Sequence, residues 1–270
     1  MTRTSISDLD DPFLNDIRSA VENEDAFGRF KRLQSIAGAI EGVNAKQGAE
    51  YRDIVLRQTP DLLNHLDKFR SNDTIGSPVT APYPEGQMSP TTWRYIKVLS
   101  DLHMLFGSLE GWDVAEIGVG YGGQCKIIND VDRVAHYTMY DLEPVQRLAQ
   151  KYLRHAQSPV IDHLSLPDFR RLGHEEAKTF DLAISNWAFS ECSRAMQDTY
   201  IAHVLRRSRR GYITYNQISH FFGVDSYRKG EIIEALGFPT ELMHEGLNIK
   251  VNEAMDNFVL HWHSQPHLAG

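Results

Sequence analysis

The sequence predicts an α/β protein: a doubly wound, mainly parallel sheet with helices on both faces, preceded by an N-terminal helical cap. Three observations carry this. Residues 114–131 read as a buried strand, a glycine-rich loop and a helix in succession. Strand-like and helix-like segments alternate from about residue 112 to the end, the pattern of a mainly parallel sheet. Before about residue 70 the apolar residues recur only at helical spacing.

The glycine loop organises the chain. Val114-Ala115-Glu116-Ile117 suits a strand, and four glycines follow in six positions, at 118, 120, 122 and 123. Glycine tolerates positive φ, and without a side chain it lets backbone N–H groups approach a ligand. The helix that follows turns its partly positive N-terminus to the same place. Gly118, Gly120 and Gly123 fit the dinucleotide fingerprint G-x-G-x-x-G. They also fit the acidic-x-G-x-G-x-G loop that holds S-adenosylmethionine (SAM). Glu116 at the strand end favours SAM, because a carboxylate there can brace the loop and face a cationic ligand. A glycine loop can also be no more than a tight turn.

Val134–Tyr140 is β-prone by its aromatic and branched content. It ends at Asp141, 23 positions after Gly118. In a βαβ unit that spacing puts a carboxylate at the end of the neighbouring strand, where it can accept ribose hydroxyls. The plainer alternative makes Asp141 a helix N-cap ahead of Pro144.

Taken in order, residues 1 to about 10 are expected to be poorly ordered. Phe13, Leu14, Ile17 and Val21 mark a first helical face; Phe30, Leu33, Ala37 and Ile40 a second, closed by Gly42; Tyr51, Ile54 and Val55 a third. Thr59-Pro60 reads as N-cap and first turn of a fourth helix carrying Leu62, Leu63, Leu66 and Phe69. Residues 71–90, with four prolines and two glycines, read as a long loop. Ser89-Pro90 then opens a helix with Trp93, Ile96, Leu99, Leu102 and Phe106 on its apolar face, ended by Gly107 or Gly111. Its first residues are expected near the ligand. The chain divides into a helical region with linker loop, 1–88, and a ligand-binding α/β domain, 89–270. The helical region is a cap completing the core, a lid, or a surface through which two copies associate.

Pro144–His155 reads as a helix, Pro159–Leu166 as a weak strand and Phe180–Asn186 as a clear one. Met196, Tyr200, Val204 and Leu205 mark the next helix, Gly211–Asn216 a strand, and Ile232, Ile233 and Leu236 a helix ending at Gly237. Glu241–His244 and Asn257–His263 are expected as a final strand pair. Such a pair fits the methyltransferase version of the fold, in which the last strand runs antiparallel.

Composition narrows the function. A chain of 270 residues with 41% hydrophobic and 24% charged residues buries a large core. A formal charge of −8 argues against a general nucleic-acid or anionic-membrane binder. Arg206-Arg207-Ser208-Arg209-Arg210 is the one basic run, expected at a helix end where cations suit the negative terminus. The two cysteines, Cys125 and Cys192, have neither metal-ligand spacing nor a disulfide framework. Without a secretory signal or a membrane-length apolar run, a cytoplasmic location is expected. No metal site is expected.

In open α/β sheets ligands collect at the carboxyl ends of the strands. That rule gathers the loop (Gly118, Gly120, Tyr121, Gly122, Gly123), Asp141-Leu142, Ser165-Leu166, Asn186 to Glu191 and Asn216 to His220. Glu116, the loop residues, Asp141, Leu142, Ser165, Leu166 and Asn186 are expected on the cofactor. Asn186-Trp187-Ala188-Phe189-Ser190-Glu191 sets two aromatics among polar groups, which suits a sugar-like acceptor; Trp187 and Phe189 can equally pack beneath the sheet edge. Trp187, Ser190, Asn216 and Gln217 are the expected acceptor contacts. Methyl transfer to a hydroxyl needs alignment and a proton acceptor. Glu191 and His220 are the candidate bases, although in a chain with twelve histidines a lone one is more often structural.

The segments Glu116–Gln124, Ser185–Glu191 and Gly211–Gln217, with Ser89-Pro90-Thr91 and Arg94-Tyr95 upstream, resemble the sugar O-methyltransferase family over roughly residues 72–263. The resemblance implies a Rossmann-like class I methyltransferase fold, SAM as methyl donor, a sugar-type hydroxyl as acceptor, Glu116, the glycines and Asp141 on the donor, and Asn186–Glu191 near donor or sugar. Three rival readings stand beside it: a methyltransferase of a phenol or amine, a NAD-type oxidoreductase, and a non-catalytic subunit binding a partner through its N-terminal helices.

Overall fold

A computed structural model describes residues 11–174, 178–247 and 257–263. The expectation for residues 1 to 10 lies outside them. A seven-stranded sheet forms the centre. Its strands are β3 (Asp113–Ile117), β4 (His136–Tyr140), β5 (Leu164–Ser165), β6 (Phe180–Asn186), β7 (Ser208–Tyr215), β8 (Glu241–His244) and β9 (Phe258–Trp262), in the order β5-β4-β3-β6-β7-β9-β8. Neighbours from β5 to β7 pair in parallel, whereas β9 runs antiparallel to both β7 and β8. The expected final strand pair thus forms, with the last strand reversed. The sheet reverses direction in strand order between β3 and β6, the place where a doubly wound fold opens a crevice.

The strands alternate as half-buried strands must. Val114, Leu182, Ile184, Tyr212 and Val259 face one apolar cluster. Ala115, Ile117, Ala183, Ile213, Tyr215, Leu260 and Trp262 face the other. Helices α6 (Pro90–Phe106), α7 (Gly123–Asn129) and α8 (Glu143–His155) cover the first face, and α9 (Arg194–His203) and α10 (Lys229–Leu236) the second. The glycine loop lies on the first side, so Glu116, two residues from Val114, points there too.

The N-terminal helices are α1 (Asp11–Glu22), α2 (Glu24–Phe27), α3 (Gln34–Ala39), α4 (Ala45–Gln58) and α5 (Leu66–Arg70). Phe13, Ile17, Phe27, Phe30, Ile36 and Tyr51 join the same cluster as β3 and α8. Here α1 packs along α8, and α4 along α6. The helix α6 is buried on every side from Pro90 to Leu102, including Arg94, Lys97 and Asp101, which its apolar stripe alone did not reveal.

Three local expectations are corrected. Phe30–Ile40 is a 3-10 turn followed by α3, because Leu33 between them is extended (φ −62°, ψ 130°). Thr59 and Pro60 do open a helix, but a 3-10 one, Pro60–His65, that precedes α5, and the Thr59 hydroxyl donates to Ser100 at 2.8 Å instead of capping it. The 71–90 loop contains a hairpin, β1 (Ala81–Tyr83) with β2 (Gly86–Met88). Distant groups hold it: Arg52 grips Glu85 with two bonds of 2.6 Å, and Arg70 donates to the Glu85 carbonyl. In the basic run, Arg206 bonds the last carbonyls of α10, Ala235 and Leu236. It thus meets a negative helix end, but that of a neighbouring helix.

Candidate active site

A cleft of about 240 Å³ opens where the carboxyl ends of β3, β4, β6 and β7 meet. Of the residues the sequence singles out, Glu116, Gly118, Gly120, Asp141, Asn186, Trp187, Glu191 and Asn216 line it. The loop turns because its glycines take left-handed conformations: φ is 76° at Gly118, 51° at Gly120 and 85° at Gly122. Gly118 is doubly constrained, since an added Cβ would lie 1.9 Å from that of Ala188. Gly123 is needed for space rather than for φ, because a Cβ there would meet the rings of Tyr95 and Tyr121.

Asp141 braces this loop. Its carboxylate accepts the N–H of Val119 at 2.8 Å and that of Leu142 at 2.7 Å. It is not the cap of α8, which begins after Leu142 without a side-chain cap. The Gly120 N–H also acts on the carboxylate, whose two oxygens have lone-pair sites beyond these donors. Burial pushes the group up to about 6 against the pull of these N–H groups. Glu116 is 2% exposed and receives the Tyr137 hydroxyl at 2.8 Å. Burial, reinforced by Asp141, carries it to about 8. A cation entering the cleft would favour its ionised form.

The opposite lip follows β6. Ser185 ties the two central strands by donating to the Ile117 carbonyl at 2.8 Å, and it accepts the N–H of Phe189 at 3.0 Å. The chain then turns sharply at Trp187, a non-glycine residue at φ 66° whose N–H bonds Thr214 at 3.0 Å. Such strain persists only where surrounding contacts impose it. The two aromatics part here: Trp187 lines the cleft, whereas Phe189 is fully buried against Tyr215. Glu191 reaches the cleft with no hydrogen-bond donor or cation holding it among the described residues, and burial alone raises it to about 7. Asn216 shapes its own turn by accepting the N–H of Ile218 at 3.1 Å.

The other expected site residues stand back from the cleft wall. Tyr121 is buried in the core, edge-on to Phe30, Tyr95 and Tyr152. Gly122 is the N-cap of α7, and Leu142 packs between the two apolar clusters. Ser165 pairs with Thr138 in β5, and Leu166 packs on the first cluster. Ser190 donates to the Trp187 carbonyl at 2.6 Å, which spends its hydroxyl on the turn. Gln217 precedes a 3-10 turn, Ile218–Phe222, that carries His220. The His220 Nε2 is buried without a partner among the described residues, and the residue is not part of the cleft wall.

The cleft also has walls to which the sequence assigned no site role. Phe13, Ala39 and Ile40 close it from the N-terminal helices, and Arg94, Tyr95 and Gln124 from α6 and α7. The position of α6 just before β3 was the one available signal. The Arg94 guanidinium lies 4.8 Å from the Trp187 ring centre. Arg94 Nε, Gln124 Oε1 and Asn186 Nδ2 are buried without hydrogen-bond partners among the described residues. Unsatisfied polar groups around one hollow are what a polar ligand would complete.

No family model matches the chain, nor does any curated protein. Solved structures do. The methyltransferase domain of the bacterial protein CtHen1-C superposes with a TM-score of 0.50 at 11% identity, over 64% of this chain and 97% of that domain. The magnesium protoporphyrin IX methyltransferase of Synechocystis PCC 6803, solved with bound SAH, has a TM-score of 0.44 at 16% identity, over 77% and 98%. The PH0226 protein of Pyrococcus horikoshii OT3 gives 0.47 at 15%, over 63% and 89%. At these identities the likeness is one of fold: the chain has the α/β architecture of class I methyltransferases. No helix among the described residues is long and apolar enough to cross a membrane.

Proposed function

We propose that this protein is a SAM-dependent methyltransferase that modifies a hydroxyl of a sugar or glycosylated small molecule, with Glu191 as the base. The observation that carries the reading is the position of Glu191: a carboxyl group without a partner among the described residues, raised to about 7, on the same cleft as Gly118, Gly120 and Asp141. The reversed last strand supports a methyl donor over a dinucleotide. The donor's fit rests on backbone turned outward at the glycines, on Asp141 at the end of β4, and on the unpaired polar atoms around the hollow.

Bound SAM would supply an electrophilic methyl carbon: the acceptor oxygen bonds to it as the carbon–sulfur bond breaks and its electron pair stays on sulfur. Glu191 takes the proton that the hydroxyl loses, and a group near 7 is well matched to that task at neutral pH. Trp187 offers a ring face to a sugar, and Asn216 a hydrogen-bonding amide beside it. Asp141 would hold ribose hydroxyls with the lone pairs its backbone bonds leave free. Phe13, Ala39 and Ile40 exclude water from the donor side. His220, away from the wall, is the weaker base candidate.

Titration calorimetry with SAM, S-adenosylhomocysteine and NAD, followed by isotopic methyl transfer to panels of sugars and phenols, tests the reading. Binding of SAM but not NAD, with label on sugars, is the expected outcome. Tight NAD binding would replace the reading with an oxidoreductase, label on phenols alone would change the acceptor, and SAM binding without turnover on any acceptor would favour a non-catalytic subunit.

A further inference from the structure

Strand β7 delivers the chain to the cleft at Asn216, and the 3-10 turn Ile218–Phe222 follows at once. Burial in this segment runs against residue type. Ser219 and Ser226 are fully buried and bonded to each other through their hydroxyls, whereas Phe221 is 68% and Phe222 51% exposed. Phenylalanine ordinarily takes the interior and serine the surface. Looseness does not explain the inversion, because the backbone around the two rings is tied down. Asn216 accepts the N–H of Ile218 at 3.1 Å, Val224 donates to the Ser219 carbonyl at 3.0 Å, Gly223 to that of His220 at 3.1 Å, and the Asp225 carbonyl accepts the N–H of Arg194 at 2.6 Å. Val79, Met104 and Leu242, the other exposed large apolar residues among those described, stand singly, which is ordinary for a surface; two adjacent aromatic rings are not.

The rings stand beside the acceptor side of the cleft. Their turn packs on Ala188–Glu191, the turn that carries the base, and the Ser190 hydroxyl lies 3.4 Å from the Asn216 amide oxygen between the two. A 3-10 path rises only about 2 Å per residue, so Phe221 and Phe222 stay close to Asn216. The cleft itself, about 240 Å³, is smaller than the roughly 300–1,000 Å³ of a site for one small molecule, and a methyltransferase holds donor and acceptor together. Part of the acceptor therefore lies outside the hollow, along this lip. Resting on the sugar-hydroxyl reading above, we propose that Phe221 and Phe222 form a shelf for an apolar group on the acceptor. The substrate is a glycoside of an alkyl or aryl aglycone, with its sugar hydroxyl at Glu191 and its aglycone on the two rings. Trp187 faces the sugar, and the shelf covers what the sugar is attached to. A free sugar would leave both rings in water and gain nothing from them.

Kinetics on the full chain test this with matched pairs of glycosides, methyl and octyl, of each sugar in a panel, kept below the concentration at which the octyl compounds form micelles. The unaltered chain should favour the octyl member by roughly ten- to hundred-fold in kcat/KM, the worth of burying two or three methylenes. In a Phe221→Ser/Phe222→Ser double variant that preference should shrink to about three-fold or less, with methyl-glycoside turnover and S-adenosylhomocysteine affinity within about two-fold, since exposed positions contribute little to folding. Phe221→Leu/Phe222→Leu, apolar without the rings, should keep most of the preference. Absence of a preference in the unaltered chain, its survival in the serine variant, or equal loss on both glycosides would each overturn the shelf while leaving sugar methylation intact. So would a dimer or a vesicle-bound form that the serine variant abolishes while the octyl preference stays, because the rings would then serve a second copy or a lipid surface. No transfer to any sugar by the unaltered chain would sink the acceptor reading and the shelf with it.

Discussion

Lys97 and Arg94 stand three residues apart on α6, and both are buried. The protein answers their charges differently. Lys97 meets Asp101 at 2.7 Å and donates to the Glu245 carbonyl; Asp101 also accepts the Tyr212 hydroxyl at 2.6 Å, and Glu245 accepts that of Tyr51 at 2.8 Å. This network joins α4, α6 and β7 to the segment after β8. Among the described residues Arg94 has no acid within ion-pair distance, and neither Glu116 nor Glu191 has a cation. Removing a charge from water is costly, so a chain that leaves one uncompensated in its interior either loses stability or meets a ligand that compensates it. The paired network ties elements together, although Asp101 keeps one oxygen without a partner among the described residues, whereas the groups around the cleft are left open to a ligand.

The largest effect should come from breaking the closed side. Lys97→Met strands Asp101 without its cation and should cost about 3–5 kcal/mol, measured by denaturant unfolding, with S-adenosylhomocysteine affinity unchanged in molecules that remain folded. Loss of affinity at full stability would mean that the network belongs to the site after all. On the open side, Glu191→Gln should slow methyl transfer by roughly 10²- to 10⁴-fold with donor binding within about two-fold. A near-normal rate would remove Glu191 as base.

Glu116 sharpens the contrast through pH. Burial raises it from an ordinary 4.5 to about 8, so between those values the folded, ligand-free chain keeps a proton that the unfolded chain releases. Its contribution to stability is fully present below 4.5 and is lost as pH rises towards 8; Asp141, raised to about 6, acts in the same direction at lower pH. Thermal melts of Glu116→Gln should therefore fall less steeply from pH 5 to pH 8 than those of the unaltered chain. SAM binding near pH 7 should release protons, detectable as a dependence of calorimetric heat on buffer ionisation enthalpy. Parallel melting curves with no proton release would show that Glu116 does not respond to the ligand. The smallest effect is expected of His220→Ala, within about three-fold in rate, because the histidine stands off the cleft wall; a loss comparable to that of Glu191→Gln would reverse their roles.

The parts of the site legible in sequence are those built from neighbours in the chain. Gly118 and Gly120 announce themselves because left-handed φ values favour glycine, and Asp141 because one βαβ repeat fixes its distance along the chain. Trp187 and Phe189 look alike in sequence, yet alternate sides of a single turn send one to the cleft and the other to the core. Tyr121 sits within the loop motif but points inward, since only its backbone shares the loop's path. Phe13 and Ile40 were legible only as helix faces, because an apolar residue on a helix reads as core, and Arg94 only as part of a segment near the ligand, because spacing does not say which way its side chain turns.

The sequence by itself determined the α/β class, the alternation of its strands between two cores, and the turn that opens the cleft, because periodicity and glycine conformation are local properties of the chain. Only the tertiary structure decided which buried charges are answered and which are left open. Whether a guanidinium finds a carboxylate depends on segments far apart in sequence that pack within 4 Å, and spacing along the chain does not encode that distance.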